Sequence, residues 1–292
     1  MNNLKWEIGD VQVFQIVELE AGEIIQSIIN EAIPENIRRI DFVYPNFADE
    51  HGNLKALVQA FLIKVGDEYI LVDTCNGNAK KRTDMPEWSN LDIDFLEQLY
   101  DLGIKETDID YVICTHLHTD HVGWNTIFKD GKWVATFPNA KYIFAKEEYD
   151  YWKSKPENEI DDDKSAFDDS VEPIMNQGLG MLVGSNYRLN DNISLIPTVG
   201  HTPGHISVII ESNNEAAIIT GDLLHHPCQI AYPNWNTEAD GIKKEATISR
   251  EKLLNEISNK NIMLIGSHFS NPVAGYVQKE NDIFKFVTKS GE

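Results

Sequence analysis

Apolar positions in this chain come in short, dense runs separated by polar turns. VQVFQIVEL (11–19), ALVQAFLIKVG (56–66), EYILVDT (68–74), YVICTH (111–116), KYIFAK (141–146), ISLIPTV (193–199), ISVIIES (206–212), AAIITGD (216–222) and IMLIGSH (262–268) are rich in Val, Ile, Leu and Tyr and have the length of strands. The polar turn between the second and third runs predicts a hairpin. Helical spacing takes over in LDIDFLEQLYDLGI (91–104), EEYDYWKS (147–154) and ISREKLLNEISNK (248–260). Strands come first and then alternate with helices, which points to a layered α/β architecture and away from a bundle or a barrel.

Two stretches break this rhythm. Residues 20–56 are expected to form a helix and long loop inserted early, and residues 155–180 an acidic, loop-like segment with a short helix. Loops of such length in a compact domain are commonly lids over a site. There is no solenoid period and no Gly/Ser linker, so the expectation is a single domain over 1–292 carrying the insertion at about 20–56.

Composition narrows the partners. With 47 acidic against 25 basic residues the net charge is −22, and binding to nucleic acid or to an anionic membrane depends on clustered Lys and Arg. A small, neutral or weakly charged molecule is the expected partner. No run approaches the roughly 20 apolar residues of a membrane span, and the first residues, MNNLKWEIGDVQVF, lack the apolar core of a signal peptide. Cys75, Cys114 and Cys228 cannot all pair and form no Cys-x-x-Cys motif. A reduced, cytoplasmic protein is therefore expected, with Cys114 and Cys228 as packing residues.

The chemistry concentrates in CTHLHTDHVGW (114–124), which holds His116, His118 and His121, three of the nine histidines, together with Asp120. The stretch follows an apolar strand, at the carboxyl end where α/β sheets place their ligand sites. In extended backbone His116 and His118 face one side and can reach one ion. A turn into helix would aim Asp120 and His121 at a second position. Imidazole and carboxylate suit zinc, iron, manganese or cobalt. A lone strand-end histidine is more often a structural, hydrogen-bonded residue. Here His201 in VGHTPGH, Asp222 in TGDLLHH and His268 in GSHF follow three further apolar runs, and with the cluster already present they read as the missing ligands.

These motifs, with the VDTCNG turn at Asp73, resemble the metallo-β-lactamase superfamily over residues 57–270. The resemblance implies a four-layer αββα sandwich. It implies His116, His118 and His201 on one metal, Asp120, His121 and His268 on the other, and Asp222 bridging, with Asp73 beside the site without being a ligand. His205 would support its turn, while His51 and His226 carry no role. His225 stands where related lactonases have a tyrosine and organophosphate-hydrolase relatives can have histidine, and is expected to contact the substrate.

Two divalent ions, zinc first, sharing a hydroxide would make a metal-dependent hydrolase, with Asp120 orienting the nucleophile and passing its proton to the leaving group. GxSxG is absent. His121 in place of arginine, and His118 in place of the glutamate of flavodiiron proteins, narrow the resemblance to hydrolases of small molecules. The context THLHTDHVGW is most similar to acyl-homoserine lactonases and methyl-parathion-hydrolase-like proteins. The tail 270–292 is too short for the helical domain of thioester hydrolases. The expected activity is lactonase or esterase. The alternatives are a phosphotriesterase-like hydrolase and a metal-containing effector-binding protein without turnover. Trp124, Trp133, Tyr232, Trp235 and Phe269 are candidate pocket walls, Trp124 and Phe269 foremost, and the resemblance to lactonases extends to a homodimer.

Overall fold

The computed structural model describes residues 4–156 and 161–288. Residues 157–160 of the acidic stretch, and both extremities of the 1–292 span, lie outside the described residues. The chain forms two compact units, Met1–Glu18 with Val58–Ser185 and Leu19–Leu57 with Asn186–Glu292.

In the first unit the strands are β1 (Lys5–Ile8), β2 (Val11–Glu20), β3 (Leu57–Val65), β4 (Glu68–Val72), β5 (Tyr111–Ile113), β6 (Thr126–Lys129), β7 (Lys132–Ala135), β8 (Lys141–Ala145) and β9 (Gly180–Val183). Among the described residues they build a seven-stranded sheet in the order β1-β2-β3-β4-β5-β8-β9, and a separate β6-β7 ribbon. β3 and β4 form the expected antiparallel hairpin. From β4 onward the pairing is parallel. The runs FLI of β3, ILV of β4 and YIFA of β8 are buried throughout, as strands covered on both faces must be.

The second unit contains β10 (Ile193–Pro197), β11 (Ile206–Ser212), β12 (Glu215–Ile219), β13 (Ile262–Ile265), β14 (Ala274–Glu280) and β15 (Ile283–Val287), which pair in chain order. Only β12 and β13 are parallel in it among the described residues. The helix Lys243–Ile257 makes the crossover that parallel pairing requires. Its buried face reads Ala246, Arg250, Leu253, Leu254 and Ile257, a stripe at helical spacing with an arginine in its middle. Among the described residues no helix is long and apolar enough to cross a membrane.

All nine apolar runs are strands. The short strands β1, β6 and β7 and the C-terminal hairpin β14–β15 were not expected, since charged residues interrupt their apolar pattern, and neither was β9, whose apolar run Met181–Val183 is only three residues long between glycines. The insertion holds two short helices, Gly22–Ile28 and Pro34–Ile37. The acidic stretch departs most from expectation, because residues 162–176 are helical. Asp162–Ala166 is followed by a π-helical turn at Phe167–Val171 and by Glu172–Asn176. Its acids make specific bonds. Asp162 accepts from the backbone N–H groups of Thr83, Asp84 and Met85. Asp169 takes both guanidinium arms of Arg82 and lies 3.2 Å from Lys80 Nζ. Burial pulls the Lys80 ammonium down to about 8, against the attraction of Asp169.

His226 is a core residue. Its Nε2–H donates to Phe47 O (2.8 Å) and its Nδ1 accepts from Cys228 N–H (3.1 Å), so the neutral ring is satisfied at both nitrogens. Burial lowers its pKa from 6.5 to about 4. The unfolded chain therefore binds a proton between these values while the folded chain does not, and stability is lost as pH falls from about 6.5 towards 4. Urea unfolding should show the wild type losing about 3 kcal/mol more than His226→Gln between pH 7 and pH 4.

Candidate functional site

In the first unit the predicted residues lie at the carboxyl ends of parallel strands. β5 ends at Ile113 and runs directly into Cys114–His118, after which a single helical turn, Thr119–Val122, carries Asp120 and His121. The His116 ring lies 4.6 Å from that of His118 and 4.0 Å from that of His121, centroid to centroid. Asp120 Oδ1 is 3.7 Å from His121 Nε2. His116 and His121 are buried, while His118 and Asp120 keep some exposure.

One buried carboxylate organises this cluster. Asp73 Oδ1 accepts from Thr115 N–H (2.7 Å), and Oδ2 accepts from Thr115 Oγ1–H (2.9 Å). His121 Nδ1 is 2.9 Å from Oδ2, and because an ionised carboxylate only accepts, Nδ1 carries the proton. Thr115 Oγ1 has given its hydrogen to Asp73, so its 3.1 Å contact with His116 must be an Nδ1–H donation from the ring. Asp73 thus sets the tautomer of His121 directly and of His116 through Thr115, so that Nε2 is the nitrogen each would offer to a metal.

The support runs further back. Asp73 and Cys75 have positive φ values of 58° and 49°, conformations costing roughly 1–2 kcal/mol each for a residue with a side chain. Residues 73–75 are held there by bonds to the motif: Thr74 N–H to His121 O (2.8 Å), Gly123 N–H to Cys75 O (2.6 Å) and Trp124 N–H to Thr74 O (2.7 Å). Buried Glu18 accepts from the N–H groups of Asn76 and Gly77 and from the Trp124 indole. Gly123 passes so close that a Cβ there would lie 1.8 Å from Asn76 O. On the other side of the motif, buried Glu148 accepts from Leu117 N–H and the Trp152 indole. Asp163 Oδ1 accepts from Thr119 N–H at 2.8 Å, and its Oδ2 lies 3.8 Å from His118 Nε2.

The second unit gathers the other predicted residues around Asp222. Its Oδ2 is 3.4 Å from His201 Nε2 and 3.1 Å from His225 Nε2, and its Oδ1 is 3.1 Å from His268 Nε2. One donor atom from each of His201, Asp222 and His225 lies within 4.8 Å of the others, as the ligands of an ion would. His268 Nδ1–H donates to Leu57 O (2.8 Å) and His201 Nδ1–H to Asp240 Oδ1 (3.0 Å), so here too Nε2 is the atom that would serve a metal. Against the opposing effect of burial, the hydrogen bond from His201 and the charge of the Arg250 guanidinium hold the Asp240 carboxyl well below the usual carboxylate range. His205 Nε2 accepts the Asp222 N–H (2.9 Å), a turn-supporting role as expected. Beyond its 3.1 Å approach to Asp222, the ring of buried His225 makes no hydrogen bond among the described residues.

In each unit the donors are imidazoles and carboxylates, and Nδ1 of His116, His121, His201 and His268 is engaged with protein oxygens, so both donor sets fit divalent ions. The expectation of pocket walls at Trp124 and Phe269 is corrected. Trp124 stacks on Phe95 at 5.2 Å and spends its N–H on Glu18. Phe269 is fully buried against Phe47 and Phe286. Both are packing residues. Glu18, Glu148, Asp163, Asp240 and Arg250 escape a reading of the sequence, because none lies in a motif. Arg250 alone left a trace, its place on the apolar stripe with Leu253, Leu254 and Ile257.

The family model of the metallo-beta-lactamase superfamily matches residues 56–260. The chain belongs to that superfamily. The matched range includes six of the seven predicted ligands and stops short of His268. Over 245 residues the chain is 25% identical to an N-acyl homoserine lactonase of Bacillus thuringiensis, a match covering 78% of this chain and 87% of that one. Over 161 residues it is 26% identical to an N-acyl homoserine lactonase of Bacillus cereus, and there it spans 54% of this chain and only 55% of the relative. Among solved structures it is similar to AidC, a dizinc quorum-quenching lactonase, with TM-score 0.77 and 22% identity over 99% of this chain and 98% of that one. It is also similar to the hydrolase AbOPH of the beta-lactamase superfamily, with TM-score 0.79 and 22% identity at the same coverage. Likeness at this identity shows the metallo-β-lactamase fold. The family and the curated relatives place the chain among the superfamily's metallo-hydrolases.

Gly123→Ala tests the close packing of the motif against residues 73–77. It should cost more than about 3 kcal/mol in urea unfolding, or prevent folding, because backbone rather than a movable side chain occupies the space.

Proposed function

We propose that the chain is a dinuclear-metal hydrolase that opens or cleaves a small ester or lactone. In this reading His116, His118 and His201 hold one ion, Asp120, His121 and His268 hold the other, and Asp222 serves both. The observation that carries it is that Nδ1 of four of these imidazoles is tied to a protein oxygen while Nε2 of His121, His201 and His268 faces Asp120 or Asp222 at 3.1–3.7 Å, whereas the core histidine His226 is bonded to main-chain groups at both nitrogens. Zinc is the first choice, as in the dizinc relative, and the same donors accept iron, manganese or cobalt. When bound, two divalent ions supply Lewis acidity and lower the pKa of a shared water towards neutrality.

The chain's own groups do the rest. Asp120, the more exposed carboxylate of the first cluster, orients the attacking water, takes up its proton and delivers it to the departing alkoxide oxygen. His225, buried beside Asp222 with its Nε2 3.1 Å from Asp222 Oδ2, offers an N–H to the carbonyl or leaving-group oxygen of the substrate. Ring opening of a lactone then leaves a carboxylate and a hydroxyl on one molecule. The net charge of −22 favours a neutral or weakly charged substrate, and the names of the relatives favour an N-acyl homoserine lactone. The buried free thiols of Cys75, Cys114 and Cys228 accord with the cytoplasm. Likeness to lactonases extends the proposal to one domain that works as a homodimer.

Metal analysis should find two ions per chain, and a panel of lactones, aryl esters and phosphotriesters should show lactone opening as the fastest reaction. Full metal loading without turnover on any of them would leave only an effector-binding role. Faster phosphotriester cleavage would move the assignment to that class. His118→Ala should remove activity and lower metal content together. Asp120→Asn should reduce kcat by roughly 10²–10⁴-fold with the circular dichroism unchanged.

A further inference from the structure

The second unit contains a buried cation for which the reaction has no direct use. Arg250 is fully buried on the inner face of the helix Lys243–Ile257, and its guanidinium is bonded along its whole edge. Nε donates to Leu223 O (2.8 Å). One terminal nitrogen donates to Pro233 O (2.6 Å) and Trp235 O (3.2 Å), and the other lies 3.4 Å from Asp240 Oδ2. Asp240 turns its other oxygen to His201 Nδ1 and also accepts Thr237 N–H. Leu223 follows Asp222 directly in the chain. From Trp235 O the frame continues to Gln229 Nε2 (2.8 Å), whose Oε1 accepts the His225 N–H (2.7 Å).

We infer that Arg250 is a positioning residue that sets His201, through Asp240, and Asp222, through the Leu223 carbonyl, as a single rigid pair of metal ligands. The inference rests on the proposed dinuclear site and goes beyond it, because it names what holds two ligands from different strand ends in register. Three neutral carbonyls do not by themselves require a buried charge, and an apolar side chain would complete the stripe of the helix more cheaply. Arginine is suited to the place because its planar fork reaches four acceptors in fixed directions, which the single ammonium of lysine cannot do. The two arms act on different ligands, so they have different consequences. Asp240 bears on His201, a ligand of one ion, whereas Leu223 bears on Asp222, which both ions share.

The test uses the full chain, with zinc affinity from chelator competition and the visible absorption bands of the cobalt(II)-loaded protein. Asp240→Asn should weaken one of the two ions by roughly 10–100-fold and shift the cobalt bands, with circular dichroism unchanged. Arg250→Met should weaken both ions, and Arg250→Lys should restore only part of the loss, because it returns the charge without the fork. Wild-type affinity and unshifted bands in Asp240→Asn, even with a lowered melting temperature, would reduce the network to a structural one and overturn the inference. So would an Arg250→Met effect confined to one ion. If Arg250→Met does not fold, Asp240→Asn and Arg250→Lys decide. A wild type that binds no ion defeats the proposed site and this inference together. A wild type that binds two ions, with Asp240→Asn equal to it, defeats the inference alone.

Discussion

A histidine serves a metal only while one ring nitrogen is held as N–H and the other is kept as a lone pair, and the candidate site depends on enforcing that choice away from water. Two buried carboxylates do so, one in each unit. Asp73 accepts from His121 and, through Thr115, from His116. Asp240 accepts from His201. Each carboxylate is surrounded by N–H and O–H donors rather than solvent, so the negative charge is satisfied without being hydrated. Were either acid missing, its imidazole would be free to rotate or to exchange tautomers, and the donor atom would no longer be defined.

Holding those carboxylates costs backbone strain and buried polarity. Asp73 sits in left-handed backbone, and residues 73–76 lie so near the motif that only glycine is tolerated at 123. Around them the fold uses more buried charge than a core needs for stability: Glu18 and Glu148 in the first unit, Arg250 in the second. Each is hydrogen-bonded to main-chain groups, with an indole N–H added at Glu18 and Glu148 and the Asp240 carboxylate at Arg250, which is the condition under which burying a charge is tolerable. The acidic stretch after residue 160 follows the same rule, since Asp162 and Asp169 pin its helices to residues 80–85 through N–H groups and cations.

The strands and the ligand-type residues were legible because their signals are local. Apolar runs that are short, rich in Val and Ile and bounded by turns read as strands, and the histidines and aspartates directly after β5, β12 and β13 inherit their placement from the strand that precedes them. The helical turn that follows His116 and His118 and carries Asp120 and His121 could also be anticipated from spacing. The acidic stretch could not, because its helices are fixed by partners some eighty residues away rather than by periodicity. Trp124 and Phe269 misled for a similar reason. Adjacency to a ligand in sequence says nothing about which way the ring points, and both rings turned to the core.

The sequence by itself determined the nine apolar strands, the family and the residues able to bind metal, since each of these is carried by residue type and spacing along a few neighbouring positions. Only the tertiary structure decided which nitrogen of His116, His121, His201 and His268 is tied to a protein oxygen and what holds it there. Asp73 and Asp240 come from positions 48 and 39 residues away from the histidines they orient, and Arg250 reaches Leu223 from 27 residues away. Hydrogen bonds of that span depend on where the sheets and the crossover helix bring the backbone, and no local pattern encodes them.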